Sequence, residues 1–595
     1  MIKSLLRLKP FVQKYHGRLL MGITAFLLAR IAEALGPLFL KEGIDRVAAG
    51  NSEILLPVLG IVGAVLARFI IVSFARITVR KVGLHVAYDL RGSLYHRLQQ
   101  QGAAFFNRFT IGDMMTRAVA DISLIQRLIS MGTILLVILV FASLVGFGFM
   151  LTLSPILTLM ILPPMPFVFL YAWYASKQMG IASKDVQDRL SDLSTHVQEN
   201  LSGIRTIQAM VQEENEIKRF AATNQSYADA FYRQARINSL MMAWMPTLAA
   251  ISSVIILGYG GHLVLIGELS IGAFTAFFMY VSMVVQPFRV AGFMVNLFQR
   301  AAVASNRLFE VFDLEPEIED KPSGDTPTIV RGDIEIRDLS YTYPNATSPT
   351  LKHIDLSVAA GETITIMGRV GAGKTTLLKQ LVRLLDTPEG HVFLDGYDIT
   401  QYPLTQLRSQ VAMVPQDPFL FGDPLRDNLT YDEPERPEDL IWQAADSADF
   451  RSSIENFPER LDTIVGERGV TLSGGQKQRA TLARGFIREA PVLVLDDCFS
   501  AVDTETEEHI LSELKRLRQG RTTILVSHRV STARHSDRIV ILQEGTIVEI
   551  GSHQDLLQQG GFYADLERIQ REGGDVSDLL APERGAETPE EQSHE

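Results

Sequence analysis

The chain has 595 residues, more than one hydrophobic core supports, and a formal net charge of −12. The acidic balance argues against nucleic acid as a main partner, since phosphate backbones select basic surfaces. Cys498 is the only cysteine, which excludes an intramolecular disulfide and a cysteine-built zinc site.

Apolar residues crowd the first half, where 132–152 (GTILLVILVFASLVGFGFMLT) carries no charge, while the second half reads like a soluble α/β protein. The N-terminus (MIKSLLRLKPFVQKYHGRLL) has no cleavage site after a compact apolar core and reads as an amphipathic interfacial helix, not a removed signal peptide. Six stretches are long and apolar enough to cross a bilayer, centred on 20–42, 54–75, 131–152, 155–174, 243–265 and 271–297. The short connections at 48–53, 153–154 and 266–270 contain no Lys or Arg. The long ones are basic, with Arg76, Arg80, Lys81, Arg91 and Arg97 after the second stretch and Lys177, Lys184, Arg189, Arg205, Lys218 and Arg219 after the fourth. The positive-inside bias therefore places the long connections and both termini in the cytoplasm. Their helical periodicity continues past the membrane, with turns expected at 105–113 (FFNRFTIGD) and 207–212 (IQAMVQ).

Charges within these stretches do not face lipid, so they pair or line a wet cavity. Arg30 and Glu33 share one helix face, with Arg68 in the second stretch and Arg289 in the sixth. They read either as part of a substrate pathway or as ion pairs that fix helix packing. Met241, Met242, Met245, Met279 and Met283 offer a soft apolar wall for varied ligands, or ordinary packing.

An acidic, Pro-rich linker at 313–329 separates the halves. Beyond it, Gly368, Arg369, Val370, Gly371, Ala372, Gly373, Lys374 and Thr375 match the phosphate-loop pattern, and Thr376 adjoins them. An apolar strand (TITIM) precedes the loop and a helix follows, the context the pattern requires. The glycines let backbone N–H groups wrap phosphates at a helix N-terminus. Lys374 is expected to reach the β- and γ-phosphates, and Thr375 to ligate Mg²⁺. The apolar strand VLVLD ends in Asp496, a carboxylate that can hold Mg²⁺.

Between these motifs lies Leu472-Ser473-Gly474-Gly475-Gln476, followed by a basic helix. Here the sequence resembles the ATP-binding cassette superfamily, whose signature is LSGGQ. The resemblance extends through the cassette. Tyr343 resembles the residue that stacks on adenine, Gln416 the glutamine that senses Mg²⁺ and the membrane domain, and Gly466–Gly469 an exporter-specific loop. Ser500–Asp503 resembles the loop that crosses the dimer interface, and His528 the switch histidine that contacts the γ-phosphate. With six spans in front, the chain resembles a bacterial half-transporter of the multidrug-exporter type. The resemblance implies an α-helical transmembrane domain of six spans with long cytosolic extensions, plus an α/β P-loop nucleotide-binding domain. It implies ATP and Mg²⁺ as ligands, a second ABC half-transporter as partner, the bacterial cytoplasmic membrane as location, and coupling roles for the two cytosolic turns.

One position departs from the family pattern. Family members with a fully active site place Glu after the Mg²⁺-binding Asp, whereas this chain has Asp497. The carboxylate is one methylene shorter, and misplacement on the order of an ångström can cost around a hundredfold in rate. The site on this phosphate loop is expected to bind ATP and hydrolyse it slowly, while the intact signature completes a partner's site. A heterodimer follows; a homodimer with two slow sites is the alternative. The cargo is expected to be a hydrophobic or amphipathic small molecule, or a lipid. A nucleotide-gated regulator or channel is a rival reading, and family analogy disfavours an importer. The expected organisation is a transmembrane domain at 1–312, the linker, a cassette at 330–567 and a disordered acidic tail at 572–595, with eight acidic residues and one basic residue. Cys498 is expected to be buried beside the site. Asn345 and Asn428 match a glycosylation pattern but fall in the cytosolic half and are discounted.

Overall fold

The computed structural model describes residues 2–161, 163–285, 291–320, 326–327, 330–344, 346–466 and 469–572. Arg289, Asn345, Glu467, Arg468, part of the linker and the tail from 573 lie outside these residues, as does the side chain of Met245. The chain folds into two compact units, Met1–Gln99 with Phe109–Glu315, and Gln100–Arg108 with Pro316–Glu595.

The first unit is helical. Among the described residues, His16–Ala48, Leu55–Gln99 and Ile111–Leu153 are long and apolar enough to cross a membrane. Leu55–Gln99 has 45 residues. At a rise of ~1.5 Å each it is about twice as long as a ~30 Å hydrocarbon core is thick, as the expected extensions require. The other expected spans also fall in helix, the fourth and fifth with interruptions. The fourth divides into Pro155–Ile161 and Pro164–Ser202. Pro163 and Pro164 stand at that break, where missing N–H groups and ring clashes prevent a continuous ladder. The fifth runs from Glu213–Ile255 through a π-helical turn, Ile256–Gly260, into Gly261–Leu265. The sixth is described as Ile271–Val285 and Ala291–Phe312. The single interfacial helix expected at the N-terminus is instead two short helices, Ile2–Leu6 and Lys9–Gln13, with Pro10 in the first turn of the second.

Small residues let these helices approach closely. A Cβ at Gly22 would lie 2.6 Å from Val79 Cγ2, so only glycine fits that crossing of His16–Ala48 over Leu55–Gln99. Glu33 is shared by two cations: it pairs with Arg30 on its own helix and with Arg68 at 3.1 Å. The triad keeps one net positive charge, and Arg30 Nε is buried without a hydrogen-bond partner among the described residues. Pro164–Ser202 and Glu213–Ile255 form a long hairpin around the short helix Ile204–Ala209, which overlaps the second turn expected at 207–212. Beyond the apolar stretches, buried Arg117 bonds Glu310 at 3.0 Å, Asp113 and the Arg307 carbonyl, while Arg307 pairs with buried Asp121. This network fixes Ala291–Phe312 against the π-helical turn Arg117–Asp121.

Among its described residues the second unit carries ten strands: β1 (Ile334–Tyr341), β2 (Leu351–Val358), β3 (Thr363–Met367), β4 (Val392–Leu394), β5 (Tyr397–Asp398), β6 (Val411–Val414), β7 (Val492–Asp496), β8 (Thr522–Val526), β9 (Arg538–Gln543) and β10 (Thr546–Gly551). One sheet runs β2-β1-β4-β5 and is antiparallel; the other runs β10-β9-β3-β8-β7-β6. From β9 to β6 its neighbours are parallel. Strands β7 and β8 are buried at every residue, matching the continuous apolar run of a parallel strand covered on both faces. The parallel register brings the carboxyl ends of β3, β6, β7 and β8 to one edge. In open α/β sheets, ligand-binding residues gather there.

Tyr280 is fully buried, and its hydroxyl donates to the Ala34 carbonyl at 2.6 Å. Pro37 lies inside that same helix three residues later and removes one N–H from its ladder, so the bond reinforces a weakened turn. Tyr280→Phe is expected to cost about 1 kcal/mol and lower the thermal midpoint in lipid by roughly 2–4 °C. A fluorescence melt checks this.

Candidate functional site

The loop after β3 is shaped by what its neighbours exclude. Gly368 has φ +146°, and a Cβ there would sit 2.0 Å from the Leu542 carbonyl oxygen on β9. Gly373 has φ +99°, with Thr350 O 2.9 Å from where its Cβ would be. Both positions therefore require glycine, for close approach and for left-handed backbone. The loop delivers Lys374 to the first turn of the helix Lys374–Leu381. The Lys374 side chain is buried, and its Nζ donates to the carbonyls of Gly368 at 2.9 Å and Arg369 at 2.8 Å. Burial pulls its pKa down to about 8, partly opposed by Asp497 and Asp496. Two of its three protons are thus held by the loop, and one remains for an anion.

A cleft of about 270 Å³ opens over this loop, lined by Val370, Gly371, Ala372, Gly373, Lys374, Thr375 and Thr376, together with Gln416, Asp496, Asp497 and His528. Gln416 follows β6, Asp496 ends β7, Asp497 comes next, and His528 follows β8. The Thr375 hydroxyl donates to Asp496 Oδ1 at 3.1 Å, and burial raises the Asp496 pKa. Asp497 sits at φ +43°, its N–H donating to the Val526 carbonyl at 3.1 Å. Burial, with Asp496 beside it, pushes Asp497 up to about 6. Gln416 Nε2 stands 3.5 Å from Asp497 Oδ2. Burial and Lys374 pull His528 down to about 4, so the ring is neutral at pH 7, and its Nδ1 is buried without a partner among the described residues. Cys498 is buried, its thiol pushed well up by that burial.

Several sequence-predicted residues lie around the cleft and not in its lining. Gly368 and Arg369 serve through their carbonyls. The Tyr343 hydroxyl is 3.2 Å from Thr376 Oγ1. Ser473, Gly474, Gly475 and Gln476 do not line the cleft. They start the helix Gly474–Phe486, where the Ser473 side chain accepts from the Gln476 N–H and the Gln476 side chain accepts from the Ser473 N–H. Ser473 and Gly474 are exposed, so this N-terminus faces outward. Behind it, Gln478 accepts from the Ala501 N–H and donates to Ser500 Oγ, both at 2.8 Å, tying the helix to the 500–503 loop. Sequence reading missed Thr350 and Val526 in the lining. Neither carries a motif; Val526 was accessible only as the residue two before His528.

The all-oxygen set of Thr375, Asp496 and Gln416 suits Mg²⁺, which takes one or two protein carboxylates and fills its remaining sites with phosphate and water oxygens. The glycine-built loop, the spare Lys374 proton and the unpartnered His528 nitrogen suit a polyphosphate.

Residues 19–288 match the family model "ABC transporter transmembrane region" and residues 351–500 the model "ABC transporter". The ATP-dependent lipid A-core flippase of Syntrophus aciditrophicus (strain SB) is 33% identical over 92% of this chain and 90% of its own length. A "probable multidrug resistance ABC transporter ATP-binding/permease protein" of Bacillus subtilis (strain 168) is 32% identical over 95% of this chain and 97% of its own. The solved structure of a bacterial Atm1-family ABC exporter with ATP bound shares the fold, with a TM-score of 0.74 at 24% identity, covering 93% of this chain and 99% of that one.

A triphosphate beside Lys374 stabilises the ammonium, so the bound state holds its proton above the free-state value of about 8. ATP affinity is expected to fall above pH 8, approaching tenfold per unit, as Lys374 loses its proton in the free chain. Calorimetry at pH 8.5 in buffers of different ionisation enthalpy should show proton uptake on binding.

Proposed function

The chain belongs to the ABC transporter family, and from that premise we propose that it is one half of an exporter for hydrophobic or amphipathic small molecules that works with a different second half. It is a helical transmembrane domain fused to an ABC nucleotide-binding domain, and its activity is that of an ATPase coupled to transport. The proposed organisation is a membrane domain at 1–312, a linker at 313–329, a cassette at 330–567 and a tail at 572–595. In the proposed orientation the cassette and both termini lie on the cytoplasmic side of the bacterial inner membrane.

In this reading Lys374 and the loop N–H groups hold the triphosphate, Tyr343 stacks on the adenine, and neutral His528 donates to the γ-phosphate. Thr375, Asp496 and Gln416 would hold Mg²⁺, which when bound would neutralise phosphate charge. Among the described residues Asp497 is the only other carboxylate lining the cleft, and as a base it must be ionised, which a pKa of about 6 permits at pH 7. Its short side chain holds it back from an attacking water, so hydrolysis here is slow. Ser473–Gln476 presents a helix N-terminus to the nucleotide of the other chain. Closure of the two cassettes around shared nucleotide then biases the membrane domain between inward- and outward-facing states.

The observation that supports two chains most directly is the outward-facing Ser473 turn, which contributes nothing to the cleft of its own chain. A lipid cargo is the second reading, favoured by the resemblance to a lipid A-core flippase. Vesicles holding the purified exporter separate the two: ATP-driven uptake of a fluorescent drug supports the first, and movement of a labelled lipid alone supports the second. In the exporter purified with its companion, Asp497→Asn is expected to lower ATP turnover less than twofold. A loss of tenfold or more would make Asp497 the principal base and remove the slow-site reading.

A further inference from the structure

The loop that carries His528 is held from two sides. On the inner side, the Arg529 N–H donates to Ser527 Oγ at 3.0 Å, and Ser527 Oγ donates to Thr532 Oγ1 at 3.0 Å. Thr532 and Arg529 both reach buried Glu507, and Arg529 also donates to the Val502 carbonyl at 3.2 Å. On the outer side stands Gln570, near the end of the helix Phe562–Arg571. Its Nε2 donates to the His528 carbonyl at 2.8 Å, and its Oε1 accepts from the Val530 N–H at 2.9 Å. The amide orientation is fixed by chemistry, because a carbonyl only accepts and a backbone N–H only donates. One side chain thus bridges the backbone before and after Arg529.

The helix bearing Gln570 is itself anchored. Tyr563 and Leu566 are fully buried in a cluster with Val530, Ala533 and Leu556. Glu549 accepts from the Phe562 N–H at 2.6 Å at the start of the helix, and Glu567 pairs with Arg534 at 2.8 Å. The anchoring holds the amide in place without using the amide. No sequence motif marks it.

We infer that Gln570 is a positioning residue of the ATPase site, its amide holding the His528 backbone so that the ring faces the cleft. The inference rests on the proposed contact of His528 with the γ-phosphate. That contact distinguishes ATP from ADP, so loosening the loop weakens ATP selectively.

The test compares Kd for ATP and for ADP in the full-length exporter in lipid, by displacement of a fluorescent nucleotide. Gln570→Met keeps the length and packing and removes both hydrogen bonds. Gln570→Glu keeps the acceptor for Val530 and opposes the His528 carbonyl. Both are expected to lower the preference for ATP over ADP by roughly fivefold to tenfold, less than the full loss of a hydrogen bond to a charged group because the ring is loosened and not removed, with the ADP Kd unchanged. In a His528→Ala background, Gln570→Met should cause no further loss, because the residue acts through the ring it positions. Equal weakening of ATP and ADP, or additive loss with His528→Ala, would mean that Gln570 only stabilises the cassette and overturns the inference. So would an unchanged preference in Gln570→Met while His528→Ala loses it. If His528→Ala itself leaves the preference intact, the γ-phosphate contact fails, and the inference fails with it.

Discussion

Charge is the constraint on which this site depends. The cleft sets one ammonium, Lys374, beside two buried carboxylates, Asp496 and Asp497, and a neutral His528. A triphosphate brings several negative charges into that space. Burial already works against each charge present: it lowers Lys374 and raises both aspartates. In the proposed function the remaining positive potential comes from backbone N–H groups, a divalent cation and a second helix N-terminus. The first are built into the loop by glycines at 368, 371 and 373, all at positive φ. In the proposed assembly the last arrives on another chain, so nucleotide becomes the joint between two proteins.

The fold serves that joint by collecting loops. Four parallel strands end together, and each is followed by one functional group: the phosphate loop, Gln416, Asp496 with Asp497, and His528. Because the strands are buried on both faces, their ends are fixed to the precision of a packed core. The helical unit follows a different logic. Its stability rests on close crossings such as Gly22 on Val79 and on satisfied polar groups such as Tyr280 with Ala34. The Arg30–Glu33–Arg68 triad is paired and joins two helices, while one of its positive charges is left uncompensated by Glu33.

Much of this was legible in the sequence where local chemistry dictates geometry. The phosphate loop is written in glycine spacing because Gly368 and Gly373 admit no side chain. The strand VLVLD is written in unbroken hydrophobicity because both of its faces are covered. The length of helices such as Leu55–Gln99 follows from periodicity. What stayed hidden depends on contacts distant along the chain. The division of the fourth span at Pro163 required weighing two prolines against an apolar run, and the N-terminal segment divides near Pro10 for a similar reason. Thr350 lines the cleft because β2 begins beside Gly373, and Gln570 reaches His528 across 42 positions. Neither pattern exists before the chain is folded.

The central claim is that ATP is held between two polypeptides. The direct measurement is photo-cross-linking from position 473, with a benzophenone amino acid replacing Ser473, in membranes containing the exporter and its companion. ATP, and not ADP, should raise a cross-link that mass spectrometry places on the phosphate loop of a second polypeptide, and the peptide identified there tells whether the pair is mixed. Cross-links confined to the same chain, or insensitive to ATP while the protein hydrolyses it at full rate, would contradict the shared site.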